Sequence, residues 1–342
     1  MEEFSDAPKN RILSLDGWRG IAILIVLISH FVGTMKLGAA FKWIPATGPH
    51  GVTVFFVLSG FLITTTIATH RPSLKAFYTK RFFRLMPTAW AYLLFLPVAG
   101  AVFGISLIGF REALSCLFFF RNFQGQMGQG MTAHFWSLSI EEQFYFIWPP
   151  ILLAVGNKRA CFIAAFAALA ISLNRFVHWN FYHRKYFEFR TEARADALFI
   201  GCLAALLLLD PAIRPRLERF AKFATVPAIA VFLYCMWRYD LPPTVECAAI
   251  AILMIATLDS RSMFAAPLRH PALRWMGRTS YSFYIWSMFF ALLSGPPMRT
   301  TIMMTLLCCF AVASHYLIER PGLALGVALL KSERQPRLVT GL

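Results

Sequence analysis

Stretches of about twenty apolar residues, the length that crosses a bilayer core as a helix, recur along almost the whole of this 342-residue chain. They fall at 20–37, 51–69, 87–109, 135–156, 159–177, 195–209, 223–238, 244–259, 280–295 and 299–318. Inside lipid the backbone has no water to bond, so segments of this kind become helices. The expected fold is all-α: a polytopic integral membrane bundle of about ten transmembrane helices, with no room for a separate soluble domain. The segment 112–123 (EALSCLFFFRNF) is too short to cross and reads as re-entrant or interfacial. Residues 1–19 form an N-terminal segment, 20–320 the membrane domain and 321–342 a C-terminal tail. The first apolar run follows a stretch of mixed charge and holds His30, which makes it an uncleaved first span and not a signal peptide.

The residue balance agrees. Apolar residues make up 58% and charged residues only 15%, where soluble domains carry about a quarter charged. The net charge of +16 does not argue for nucleic acid, because Lys and Arg sit in short breaks between apolar runs. Two thirds of the 33 Lys and Arg fall on the N-terminal side of the alternating spans, which places both termini in the cytoplasm. The loop 178–194 breaks that rule on the outer side with Arg184, Lys185, Arg190 and Arg194; solvated charge is the default, an anionic or sugar-rich surface the alternative. Seven cysteines (116, 161, 202, 235, 247, 308 and 309) form no CxxC and no Cys/His pairing, so they read as small core residues and no metal site is expected. No repeat period is visible. The Gly-rich stretch 124–130 (QGQMGQG) lacks the Lys-Ser/Thr ending of a phosphate loop.

Ionisable groups inside membrane spans are costly and therefore point to function. Three clusters qualify. In LDGWRGIAILIVLISH (15–30) ten residues separate Arg19 from His30, and eleven helical steps return to nearly the same face after a rise of roughly 16 Å. That suits an extended ligand with a charged head at Arg19 and a reacting group at His30; Asp16 lies one turn from Arg19. In YTKRFFRLMP (78–87) Arg81 and Arg84 sit one turn apart, so two guanidinium forks converge as phosphate binding requires. Pro87 can open the next helix. The plain reading of both arginine sets is cytoplasmic charge. In HFWSLSIEEQFY (134–145) helical spacing aligns His134, Ser137, Glu141 and Tyr145 on one polar wall, with Glu142 beside it, at the entry to a span. A stabilising network is the sober alternative.

Taken together these segments resemble the membrane acyltransferase 3 family, which includes O-antigen, exopolysaccharide and nodulation-factor acetylases. The resemblance continues through GVTVFFVLSGFLI (51–63), RADALFIG (194–201), GRTSYSFYIW (277–286) and IERP (318–321). It implies ten membrane helices, a bacterial inner membrane, and transfer of an acyl group, usually acetyl, from acetyl-CoA to a hydroxyl of a carbohydrate-containing acceptor such as lipopolysaccharide or exopolysaccharide. It assigns His30 to catalysis and Arg19, Arg81 and Arg84 to the acyl-CoA donor, and it matches Glu141, Glu142 and Tyr145 to the polar signature. His134, Ser137, Arg194 and Asp196 are the expected substrate-binding residues. Many relatives carry His after the SYSxYLW-type motif, where this chain has Ser287. The chain is also expected to lack the soluble esterase-like domain of some relatives, leaving acceptor choice to the membrane part or to polysaccharide-biosynthesis partner proteins.

Acyl transfer needs a base, a positioned donor and stabilisation of oxyanion charge. His30 is the expected base, Glu141 or Glu142 orients an imidazole or the sugar, and Tyr145 donates to the oxyanion. Direct transfer and an acyl-histidine intermediate both fit, and acyl-CoA is a co-substrate with no tightly bound cofactor. Ser59-Gly60 in LSGFL lacks a nucleophile-elbow context. The rival from another class is a proton-coupled transporter of a lipid or small organic acid relayed by His30 and the two glutamates; a third reading is an export-complex subunit without chemistry.

Overall fold

The computed structural model describes residues 12–32, 43–124, 130–183, 186–238 and 241–332. Among the described residues every regular element is helical. In chain order the α-helices are α1 (Leu13–Val32), α2 (Gly48–His70), α3 (Leu74–Phe103), α4 (Phe110–Leu117), α5 (Phe135–Val177), α6 (Thr191–Arg194) and α7 (Asp196–Leu208). There follow α8 (Arg214–Phe223), α9 (Thr225–Trp237), α10 (Pro243–Ala256), α11 (Ala265–Leu268), α12 (Pro271–Leu292), α13 (Pro297–Ser314) and α14 (Arg320–Ser332). Each expected apolar segment has a helix at its centre. Five runs are long and apolar enough to cross a membrane unaided: α1, α2, α3, Phe135–Tyr182 and Pro297–Ser332. The pair α8–α9, bent by 63°, makes a sixth if counted as one span, and α7 and α10 are apolar but shorter.

The run Phe135–Tyr182 has 48 residues and would extend about 72 Å if straight, more than twice a bilayer core of about 30 Å. It is not straight. Gly156 adopts φ 75°, ψ 169°, a conformation open to glycine and not to residues with a Cβ. The two limbs then fold back on each other, because their far ends meet the same short segment. Trp136, on the first limb, packs its ring 5.1 Å from Phe189, and Arg175, on the second, bonds Asp196 at 2.7 Å.

One sequence expectation is corrected. The arginines of 78–87 do not lie in a loop, and Pro87 does not open a helix: α3 starts at Leu74, capped by Ser73, whose hydroxyl accepts from the Ala76 backbone N–H at 3.2 Å. Pro87 lies inside the helix and leaves the Phe83 carbonyl without its usual donor. The basic residues of 74–86 (Lys75, Lys80, Arg81 and Arg84) disguised the first turns by lowering their hydropathy. The C-terminal tail from 321 is helical as far as Ser332. It continues α13 through a π turn at His315–Glu319 and packs on α3, where a Cβ at Gly322 would come within 2.6 Å of the Phe83 carbonyl oxygen.

Packing holds the bundle through close backbone approach, as lipid supplies no hydrophobic drive between helices. α1 lies against α12 and α2, and α2 against α7. A Cβ at Gly277 of α12 would lie 1.9 Å from the Asp16 carbonyl oxygen on α1, and one at Gly201 of α7 would lie 2.0 Å from that of Val57 on α2. On the outside, Phe162, Phe166, Leu169 and Leu173 are 58–78% exposed at spacings of four, three and four residues, which makes one apolar stripe along α5. Continuous apolar faces of this kind suit lipid and not water.

Candidate active site

The inward faces of α1, α2, α3, α5 and α12 line an open cleft. Arg19, Arg81 and Arg84 line it together with Ser59, Ser137, Glu141, Tyr281 and Tyr284. The three guanidinium groups, all half-buried, act on one another electrostatically. Like charges gathered out of bulk water need counter-charge. Part of it is present: Glu142 Oε1 is 3.9 Å from Arg81 Nε, and Glu319 acts on Arg84. Arg81 also lies with Cζ 3.6 Å from the centre of the Tyr145 ring, a cation–π contact that fixes its plane. Arg81, Arg84 and Arg19 thus form a cationic mouth to the cleft.

Inward from the arginines the wall turns to hydroxyls and a carboxylate. Ser59 donates to Glu141 Oε1 at 2.6 Å. The Tyr284 hydroxyl lies 2.6 Å from Ser137 Oγ and donates to the His134 carbonyl at 2.9 Å. One turn further along α12, Ser287 Oγ meets His30 Nδ1 at 3.1 Å. His30 therefore stands just beyond the cleft, about 16 Å along α1 from Arg19, and is half-buried.

The predicted residues divide. Arg19, Arg81, Arg84, Ser137 and Glu141 line the cleft, and Glu142 and Tyr145 touch Arg81 from behind it. His134 does not line it: the ring is caged by Phe135, Tyr284 and Tyr92 at 5.0–5.6 Å, and its electrostatic neighbour is His30. Arg194 lies at the His30 end of the bundle, bonded to the Pro49 carbonyl at 3.4 Å and over the Trp136 ring at 5.8 Å. Asp196 is placed away from the cleft, 1% exposed, in a two-pronged bond with Arg175 at 2.9 and 2.7 Å. Of the outer-loop cations, Arg190 pairs with Glu192 at 2.5 Å, while Arg184 and Lys185 lie outside the described residues, as do 125–129 of the Gly-rich stretch. Sequence reasoning missed Tyr281, Tyr284 and Glu319, and it noted Ser59 and Ser287 without giving either a place in the site. The SYSFY run at 280–284 was the available signal, since it puts four polar side chains into an otherwise apolar span.

A membrane bundle that gathers three guanidinium groups, two carboxylates and a row of hydroxyls inside its helices is built to handle a polar ligand, not merely to anchor. The family follows from comparison: the Acyl_transf_3 model, described as an acyltransferase domain, matches residues 12–320, and the chain belongs to this acyltransferase 3 family. Among its relatives, the peptidoglycan O-acetyltransferase OatA of Listeria monocytogenes serovar 1/2a is 26% identical over 339 residues, covering 88% of this chain and 53% of the relative. The O-acetyltransferase OatA of Staphylococcus aureus (strain NCTC 8325 / PS 47) is 25% identical over 307 residues, covering 80% and 49%. The chain therefore spans about half the length of these curated relatives. No solved structure matches it.

Proposed function

We propose that this chain is a ten-span O-acetyltransferase of a bacterial inner membrane, with both termini cytoplasmic, that moves an acetyl group from acetyl-CoA to a hydroxyl of an envelope carbohydrate. One observation carries the reading: arginines from two helices meet in a single cleft whose polar wall leads to His30. The CoA phosphates bind Arg19, Arg81 and Arg84, and the thioester extends along the wall toward His30. There His30 removes the acceptor hydroxyl proton, and the oxygen attacks the thioester carbonyl. The C–S bond breaks, and CoA leaves as the thiolate and takes up a proton. Since the named relatives are peptidoglycan or unspecified O-acetyltransferases, peptidoglycan stands first among acceptors, ahead of lipopolysaccharide and exopolysaccharide.

Purified protein in proteoliposomes with radiolabelled acetyl-CoA and each acceptor tests this directly. Ester-linked label on the glycan is the expected result. Accumulation of unmodified substrate inside the vesicles, with no esterified product, overturns it in favour of transport.

The arginines carry their own expectation. Arg81→Ala with Arg84→Ala should weaken acetyl-CoA binding far more than acceptor binding, since charge-assisted bonds to phosphate are lost. Arg81→Lys should restore little, because a point charge neither forks onto phosphate nor stacks on Tyr145. Calorimetric titration with CoA reads both, and unchanged affinity in the double variant moves the donor site elsewhere.

A further inference from the structure

We infer that Ser287 is a positioning residue that holds His30 in the tautomer carrying its proton on Nδ1, leaving Nε2 as the basic nitrogen. The inference rests on the proposed role of His30 as the base. It starts from hydrogen-bond accounting. A serine hydroxyl has one proton and two lone pairs. Ser287 Oγ makes two contacts: 2.8 Å to the Tyr284 carbonyl oxygen on its own helix and 3.1 Å to His30 Nδ1. The carbonyl can only accept, so the hydroxyl proton points there. Toward His30 the serine then offers a lone pair, and Nδ1 must supply the hydrogen. The opposite assignment would set two oxygens 2.8 Å apart with no proton between them.

The geometry is held on both sides. Ser287 is fully buried, and α12 is locked to α1 by backbone approach at two levels. A Cβ at Gly277 would lie 1.9 Å from the Asp16 carbonyl oxygen, and one at Gly20 would lie 2.2 Å from that of Leu273. On α1 the residue before His30, Ser29, is pressed against the start of α2, where a Cβ at Gly48 would come within 2.7 Å of Ser29 Oγ. The ring therefore meets its partner across a spacing set by backbones. A fixed hydrogen bond at one ring nitrogen decides which nitrogen is free for chemistry. When Nε2 takes the acceptor proton, Nδ1–H stays bonded to Ser287, and the bond strengthens as the ring becomes cationic. The atoms balance without another group: one proton leaves the acceptor oxygen and resides on Nε2 until the leaving thiolate removes it.

Nitrogen-15 NMR of histidine-labelled full-length protein in lipid nanodiscs, with His30 assigned by the resonances lost in His30→Gln, reads the tautomer without any turnover. The wild type should show a protonated Nδ1 and an unprotonated Nε2, and Ser287→Ala should show a mixture of the two tautomers. In the same variant kcat should fall about 10–100-fold, while KM for acetyl-CoA stays within about twofold, because the arginine mouth is untouched. A wild-type spectrum with the proton on Nε2 overturns the inference and leaves His30 as base intact. So does a Ser287→Ala protein with unchanged tautomer and unchanged kcat. If His30→Gln itself transfers acetyl at the wild-type rate, the reading beneath the inference falls, and the catalytic consequence drawn from Ser287 falls with it.

Discussion

His30→Ala is expected to lower acetyl transfer by about 10²–10⁴-fold while the protein still inserts and still binds acetyl-CoA. The loss follows from where the side chain stands. It lies beyond the arginine mouth, so donor affinity does not depend on it, and it is half-buried, so its removal leaves no charged partner stranded. Steady-state transfer to a soluble glycan fragment, with CoA binding measured on the same preparation, checks the prediction. Near-normal turnover by a well-folded variant removes His30 from the mechanism. Stable acetyl labelling of the wild type but not of the variant would select an acyl-histidine route over direct transfer.

The second large effect concerns stability. Asp196→Ala should destabilise the bundle by about 3–5 kcal/mol, because it strands the Arg175 guanidinium, which is buried with the carboxylate. Arg175 would retain only the Ala193 carbonyl and the Thr244 hydroxyl as partners. The lost contact ties three elements together, since Asp196 opens α7, Arg175 ends the second limb of α5 and Thr244 opens α10. Removing both charges, as in Arg175→Met with Asp196→Leu, should restore much of the stability, for a buried pair is often replaced by apolar groups at little cost. Thermal aggregation in detergent measures each variant. If Asp196→Ala melts as the wild type does but raises KM for the acceptor, Asp196 belongs to substrate binding after all.

Helical spacing made part of this site legible in advance. Ten residues between Arg19 and His30, two between Arg81 and Arg84, and the His134–Tyr145 periodicity each define a face of a single helix, and a face can be read from one segment. The partner of that face cannot. Ser287 lies 257 residues from His30, and Glu141 lies 82 from Ser59; no local pattern records such meetings. Asp196 and His134 show the other side of this: both are polar residues near spans, and only the assembled bundle reveals that Asp196 pairs with Arg175 and that the His134 ring sits among Phe135, Tyr284 and Tyr92. The beginning of α3 escaped notice for another reason. Lys75, Lys80, Arg81 and Arg84 lower the hydropathy of its first turns, so the apolar signal started at Pro87 although the helix did not.

The glycine contacts between α1 and α12 give the site an unequal tolerance to change. Arg19 and His30 ride on one of these helices, Tyr284 and Ser287 on the other, and carbonyl oxygens set the gap between them. Drift along the lipid-facing stripe of α5 alters only which side chain greasy tails touch. One added methyl at position 277 touches no ligand, yet it wedges the two helices apart and moves the cationic mouth, the hydroxyl wall and the histidine out of register at once. The dimensions of the cleft are written in the main chain, and its most vulnerable residue has no side chain at all.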